Sequence, residues 1–306
     1  MQTAMITLIT LVAFAANSVL CRWALMDQTI DPLSFSIVRI LSGAATLLIL
    51  LTLSSQSKST SEPKLVESKT SVSALTKLRS QFQLTSILSL LVYMFGFSFA
   101  YLELGAGLGA LVLFVAVQFT MIAAHLLSGN RMSSLEWGGC LLSVAGLAYL
   151  LMPTGSARSP DLLSIVLMSL AGIAWGIYTL AGKKSTDALQ STTANFAFGS
   201  LAIIVVLSIL VVLPSVLPQI SITEQGMIYA VMSGSVASGV GYSVWYYVVK
   251  KLNTVVASIA QLSVPVIATL GGVLLLSEPV TMQFVVSSTV ILLGISLVLV
   301  APKLKK

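Results

Sequence analysis

Long apolar runs separated by short polar breaks make up nearly all of this chain. Runs of roughly 18–25 residues, the length a helix needs to cross about 30 Å of hydrocarbon, fall at about 4–26, 32–53, 84–103, 107–127, 134–152, 161–181, 190–213, 224–248, 254–276 and 281–301. The pattern predicts an all-α membrane protein with ten transmembrane helices, since a helix bonds all its backbone groups internally where no water is available. Several breaks carry helix starts. Asp31-Pro32 and Ser159-Pro160 set a capping side chain before a proline at the first helical position. Ser133 with Glu136, and Ser221 with Glu224, fit the capping box S-x-x-E. A longer polar break at 54–83, rich in Ser, Thr and Lys, reads as a flexible linker with a short amphipathic turn near Leu75–Arg79.

Composition agrees with the pattern. Of 306 residues 57% are hydrophobic and 8% charged, against about 25% charged in soluble domains, and the mean hydropathy is +1.00. Cys21 and Cys140 lie inside apolar runs and read as buried thiols, and the lone histidine, His125, has no Cys/His cluster around it, so no metal or other cofactor is expected. The first run is too long for a signal-peptide core and lacks a basic leader, so it reads as a retained helix.

The net charge of +6 changes meaning once it is placed. With the N-terminus cytoplasmic, thirteen of the sixteen basic residues fall on the inner side, Arg22 and Arg158 fall outside, and Arg39 lies within the second helix. The positive-inside rule therefore sets both termini in the cytoplasm. The charge faces anionic lipid, and no nucleic-acid partner is needed to explain it.

A weak internal repeat matches this topology. Shifted by 148 positions, 257–281 lies over 109–133 with Leu126/Leu274 and Leu127/Leu275 identical, small residues opposed at Ala110/Ser258 and Ala123-Ala124/Gly271-Gly272, and Gly146 over Gly294 beyond. Two halves, 1–153 and 154–306, would each hold five helices. Five being odd, the second half must enter the membrane inverted, an arrangement typical of secondary transporters with a site near the midplane.

The pieces "AANSVLCRWAL" (15–25), "DPLSFSIVRILSGA" (31–44), "FAYLELGAGLGALVLFVAVQ" (99–118), "GIAWGIYTLAGKK" (172–184) and "SGVGYSVWYYVVKKLNTVVASIAQLSVPVIATLGGVLLLSEP" (238–279) resemble the drug/metabolite transporter superfamily, EamA type. The resemblance covers nearly the whole chain. It departs at Ala16-Asn17, where the family has Trp-Gly, and at Asn130, where it has glutamate. It implies export of amino acids or related small metabolites across a bacterial-type inner membrane, with a homodimer as a candidate assembly.

Polar side chains inside such runs should face a cavity or a partner helix. Asn17, Gln118 and Gln261 offer neutral hydrogen bonds suited to a solute that must later be released, or else join helices. Trp175 with Tyr178, and Tyr242 with Trp245 or Tyr246, share helix faces one turn apart and could wall a cavity; Tyr246 and Tyr247 read as an interfacial belt. Arg39 is a gating or coupling candidate, expected to snorkel to the outer interface or to pair with Glu103, Asp27 or Asp31. Glu103 and His125 are candidates for proton coupling, weighed against a solvated loop carboxylate and a structural histidine. Pro265 should bend the ninth helix near the midplane, and Glu278 should cap the tenth. Gly172 and Gly176 should let helices approach closely.

Other classes lack their parts. "VASG" (236–239) is short of the rhomboid-type G-x-S-G; Asp27, Asp31, Asp161 and Asp187 all sit at helix ends rather than in a metal-binding pair; and there is no P-loop and no mid-helix lysine. A membrane enzyme, channel or receptor remains the alternative to a transporter that is not an enzyme.

Overall fold

The computed structural model describes residues 2–59, 78–129, 131–152, 161–211, 220–252, 257, 260–261 and 263–300. These are helical nearly throughout, and no strand occurs among them beyond an isolated antiparallel bridge, Ile30 with Ile222. In chain order the helices are α1 (Gln2–Met26), α2 (Pro32–Ser59), α3 (Leu84–Ala100), α4 (Ala106–Leu127), α5 (Ser134–Leu151), α6 (Leu162–Lys183) and α7 (Ala188–Val211). The rod α8 runs from Glu224 to Val249, with a π-helical stretch, Ser233–Val240, between two α-helical pieces. The last two are α9 (Ser263–Leu276) and α10 (Met282–Val300).

Six of these, α1, α2, α4, α6, α7 and α8, carry apolar stretches of 22 to 26 residues, long enough to cross a membrane; α3, α5, α9 and α10 are shorter but as oily. Large apolar side chains such as Leu127, Leu162, Leu274 and Met282 stand exposed on the outside, while Asn17, Arg39, Gln118 and Gln261 are buried. This is the distribution that lipid, rather than water, selects.

Helix ends follow local chemistry. The Asp31 carboxylate accepts from the Ser34 N–H at 2.8 Å and caps α2 as expected. Ser133 and Glu136 form the reciprocal box at the start of α5. The box expected at Ser221 is displaced. Thr223 caps α8 by accepting from the Gly226 N–H at 3.1 Å, because the Ser221 backbone is drawn into a ladder with the α1–α2 turn. Asp31 ties the two segments together, its carboxylate accepting from the Ser221 N–H at 3.0 Å. α6 is capped by Asp161, which accepts from the Ser164 N–H at 2.8 Å; Ser159-Pro160 lies outside the described residues, as do Asn130, 60–77 of the polar linker and the chain end from 301 on.

Lipid tails are as apolar as leucine, so helices associate through close packing and hydrogen bonds rather than through escape from the surroundings. The tightest pairings are α5 with α10, α3 with α6, α4 with α6 and α2 with α8; α1 lies against α8 and α9, α2 against α7, and α4 against α9. Small residues make these contacts. A Cβ on Gly172 would stand 2.4 Å from the Leu113 carbonyl, and one on Gly176 2.8 Å from Thr120, so the expected Gly172/Gly176 pair does let α6 press on α4. Gly139, Ser143 and Gly146 do the same for α5 against Ile291 and Gly294 of α10. Residues 253–256, 258–259 and 262 are outside the described set, so the bend expected around Pro265 lies partly outside it; Pro265 itself is buried near the start of α9.

A buried guanidinium in an aromatic box: the candidate site

Arg39 lies seven residues into α2, about 10 Å along its axis at 1.5 Å per residue. It is 0% exposed. It neither snorkels nor meets Glu103, Asp27 or Asp31. Its Nε donates to Ser238 Oγ at 2.9 Å, and its Nη2 donates to the phenol oxygens of Tyr242 at 2.6 Å and Tyr93 at 3.1 Å. The guanidinium carbon lies 5.3 Å from the Tyr93 ring centroid and 5.0 Å from that of Phe97. Its Nη1 has no hydrogen-bond partner. The expectation failed because its partners, on α3 and α8, present hydroxyls and π-faces to a cation that is too far from the helix end to reach water.

The hydroxyls form a connected network. Tyr93 and Tyr242 oxygens are 2.9 Å apart, and Ser238 lies 3.3 Å from Tyr242. Asn17 of α1 donates its Nδ2 to Tyr93 at 3.3 Å and accepts from Ser233 at 2.6 Å. The two serines come from the π-helical stretch of α8, where Gly234 lets α2 come close: a Cβ there would lie 2.1 Å from Ser42 Oγ and 2.2 Å from the Arg39 carbonyl.

Aromatic rings close around this network. Trp175 stands 4.6 Å from Tyr242 and 5.0 Å from Tyr93 between centroids, and Phe14 packs edge-on against Trp175 and Trp245 at 5.3 and 5.5 Å. Trp175 Nε1 donates to Gln261 Oε1 at 3.2 Å. Tyr178 receives a bond from Asn195 Nδ2 at 3.4 Å. Trp245 Nε1 is buried without a partner.

Seven of the residues singled out in the sequence therefore meet here: Asn17, Arg39, Trp175, Tyr178, Tyr242, Trp245 and Gln261. Gln118 is buried on α4, which packs against α1, α6 and α9. Glu103, exposed in the turn after α3, and His125, exposed in the last turn of α4, are not brought into the box. Tyr246, expected in an interfacial belt, is 1% exposed and bonds its hydroxyl to the Tyr178 carbonyl at 3.0 Å, because its face of α8 turns toward α6. Tyr247 is exposed, with the Lys251 ammonium over its ring. Tyr93, Ser233, Ser238 and Phe14 escaped sequence reading. The available signal for Tyr93 was its depth, nine residues into a 17-residue helix and far from either interface.

Glu278 lies apart from the box and caps a different helix than expected. Both carboxylate oxygens accept from the Ala106 N–H, at 3.0 and 2.9 Å, at the positive end of α4. Arg22 Nε stands 3.4 Å from it without aligning to bond, while Arg22 Nη1 donates to the carbonyls of Tyr101 and Leu102. The reason lies in the turn: Ser277 adopts a left-handed φ of 53°, and Glu278 N–H bonds back to the Gly272 carbonyl at 3.1 Å, folding the carboxylate toward α4. α10 starts later, with the Thr281 hydroxyl accepting from the Phe284 N–H.

A separate groove of about 490 Å³ opens between α4, α5 and α6, lined by Val112, Val115, Phe119, Leu147 and Ile173. Its hydroxyls, Thr120 and Ser169, bond to carbonyls of their own helices. It offers apolar contact only.

Among the described residues no group of His, Cys, Asp and Glu is arranged to hold a metal ion. Comparison with known proteins gives the rest. An uncharacterized protein of Pseudomonas aeruginosa is 39% identical over 99% of this chain and 96% of its own length. An uncharacterized transporter of Bacillus subtilis is 22% identical over 87% of this chain and 86% of its own. One of Clostridium kluyveri is 24% identical over 69% of each. A crystal structure superposes with a TM-score of 0.62 over 97% of this chain and 98% of that one, at 18% identity, a likeness of fold. The profile of the EamA-like transporter family matches residues 1–152 and 162–300. The chain is an integral membrane protein and belongs to the EamA-like transporter family.

Proposed function

We propose that the protein is a secondary active transporter, not an enzyme, that exports amino acids or related small metabolites across the inner membrane by alternating access. The observation that carries this reading is the box itself. Its walls come from α1, α2 and α3 of the first half and from α6, α7 and α8 of the second, so any movement of one half against the other opens or closes it. Asn17, Gln118, Trp175, Tyr178, Tyr242, Trp245 and Gln261 are the proposed contacts to the solute. Neutral amides and hydroxyls bind weakly enough for release.

Helix pairing supports the inverted-repeat architecture. Exchanging each of α1–α5 with the helix five places on turns the α3–α6 contact into α8–α1, α4–α6 into α9–α1 and α2–α8 into α7–α3, and leaves α2–α7, α4–α9 and α5–α10 unchanged; all of these contacts occur. Ten crossings with both termini cytoplasmic follow from that architecture and the basic-residue bias. A C-terminal green fluorescent protein fusion that stays dark while the protein is inserted would remove that orientation.

Counterflow in proteoliposomes loaded with a panel of amino acids tests the activity. At least one member should exchange, and Asn17→Ala and Gln118→Ala should each slow it about tenfold, the loss of roughly one well-made hydrogen bond or more. A folded protein that exchanges nothing would sink the transport reading; normal exchange by both variants would displace the proposed contacts.

A further inference from the structure

We propose that Arg39 is the anchor for a carboxylate, and that the ligand of this box is a solute with a single carboxylate and an apolar body. The proposal deepens the transport reading and rests on it for the word substrate, though not for binding.

The chemistry around Arg39 is that of a site with its charge left over. Three of its contacts are to uncharged hydroxyl oxygens, and two are to aromatic faces. They orient a guanidinium and soften its burial, but none cancels its charge. No carboxylate pairs with it among the described residues, where the ion pair present is Arg22 with Glu278. Its Nη1 is fully buried and unbonded. A planar guanidinium is suited to bidentate recognition of a carboxylate, and charge-assisted bonds of that kind are about twice as strong as neutral ones.

The surroundings narrow the ligand. One cation without a second basic partner balances a single carboxylate and leaves a phosphate dianion short of charge. Phe14 and Trp175 pack on the Tyr242 ring at 5.8 and 4.6 Å, and Trp245 packs on Phe14 at 5.5 Å, so apolar walls adjoin the guanidinium. Trp245 Nε1 is a second buried, unbonded donor among these rings, available to a neutral acceptor on the ligand. The Tyr93, Tyr242 and Ser238 hydroxyls bond to one another as well as to Arg39, so they can let the guanidinium go to a ligand without being stranded.

Thermal unfolding of the purified protein in detergent tests this with two matched pairs, leucine against leucinamide and tryptophan against tryptophanamide, and with inorganic phosphate. In each pair the amide keeps size and side chain and removes the negative charge. At least one acid should stabilise the protein with an apparent affinity tenfold or more above its amide, and phosphate should do nothing. Arg39→Gln should abolish the acid preference, and Arg39→Lys should keep a weakened one. Equal stabilisation by acid and amide overturns the proposal, as does stabilisation by phosphate alone, by neither member of either pair, or an acid preference that survives in Arg39→Gln. Should Arg39→Gln fail to fold, the wild-type pairs still decide. Counterflow with the same solutes separates the two readings: Arg39-dependent binding without exchange removes transport and leaves the anchor, whereas exchange indifferent to the carboxylate removes the anchor and leaves transport.

Discussion

A cation sealed inside a helical bundle costs several kcal/mol even after relaxation. Around Arg39 that cost is met by phenols and a serine that already bond to one another. Arg39→Met, which keeps the length and removes the charge, should therefore leave these hydroxyls satisfied. We expect its unfolding midpoint to equal or exceed that of the wild type while carboxylate-dependent binding disappears. A large loss of stability would instead make Arg39 a structural strut. The same residue marks the reach of sequence reasoning. Asn17 and Gln261 were legible because an amide in an oily run is an anomaly with few explanations. Arg39 was legible as unusual, but its partners lie 54, 199 and 203 positions away, and nothing local announces them. Tyr93 was missed because tyrosine in an apolar run ordinarily belongs to a membrane interface, although its depth in α3 argued against one.

At the level of elements, helix ends and close contacts govern what can change. Gly234→Ala should be severe, since the atoms a Cβ would strike at 2.1 and 2.2 Å are a serine oxygen and the backbone carbonyl of Arg39 itself. Pushing α8 from α2 should cost about 1–3 kcal/mol and lower the unfolding midpoint, and it should disturb the Arg39–Tyr242 bond as well. Gly138→Ala, with nothing within 4 Å, is the matched control and should be neutral or slightly stabilising, since alanine is the better helix former.

Asp31 gives a pH signature outside the membrane. Burial alone would raise its pKa, but the bonds it accepts from Ser34 and Ser221 prevail and hold it below its ordinary 3.8. A depressed acid stabilises the fold above its unfolded value, and that contribution is lost as pH falls through the folded one. Melts of wild type and Asp31→Asn should thus differ most above about pH 4 and converge as the medium is made more acidic. A gap that widens with acid would reverse the sign and the assignment. Caps at Asp31 and Ser133 were readable because the whole motif is local. The true cap of α8 was not, because the competitor for Ser221 is a turn nearly two hundred residues earlier.

For the whole molecule, the oily runs predicted the helices well, since hydropathy over a long window averages out local error; the internal repeat was faint in the sequence, resting on two identities and a few small residues. Lipid accepts many apolar sequences, so packing leaves little trace in residue identity. What does leave a trace is a charge near a membrane edge. Glu278 joins the turn after α9 to the first turn of α4 and to Arg22 of α1, thus tying three parts of the bundle together. Glu278→Gln should weaken the fold by about 1–2 kcal/mol, the difference between charge-assisted and neutral bonds to a helix end. The binding preference for acids over amides should be unchanged, because this tie lies outside the box. Loss of that preference would mean the tie and the box act as one unit.

The π-helical stretch of α8 has a consequence for how this chain could diverge. Its wider turns hold more residues than those of an ordinary helix, so the stretch carries about one residue more than regular winding over the same length would need. Deleting one residue between Ser233 and Val240 would let the rod relax into regular winding while everything beyond keeps its facing, because the residue removed is the surplus one. Tyr242 and Trp245 would stay in the box, while Ser233 and Ser238, which the wide turns present to Asn17 and Arg39, would be re-spaced. A single codon lost in this stretch would therefore change the hydroxyls that meet Arg39 and Asn17 and leave the aromatic wall in place, making α8 the place where the polar side of the box is altered in one step.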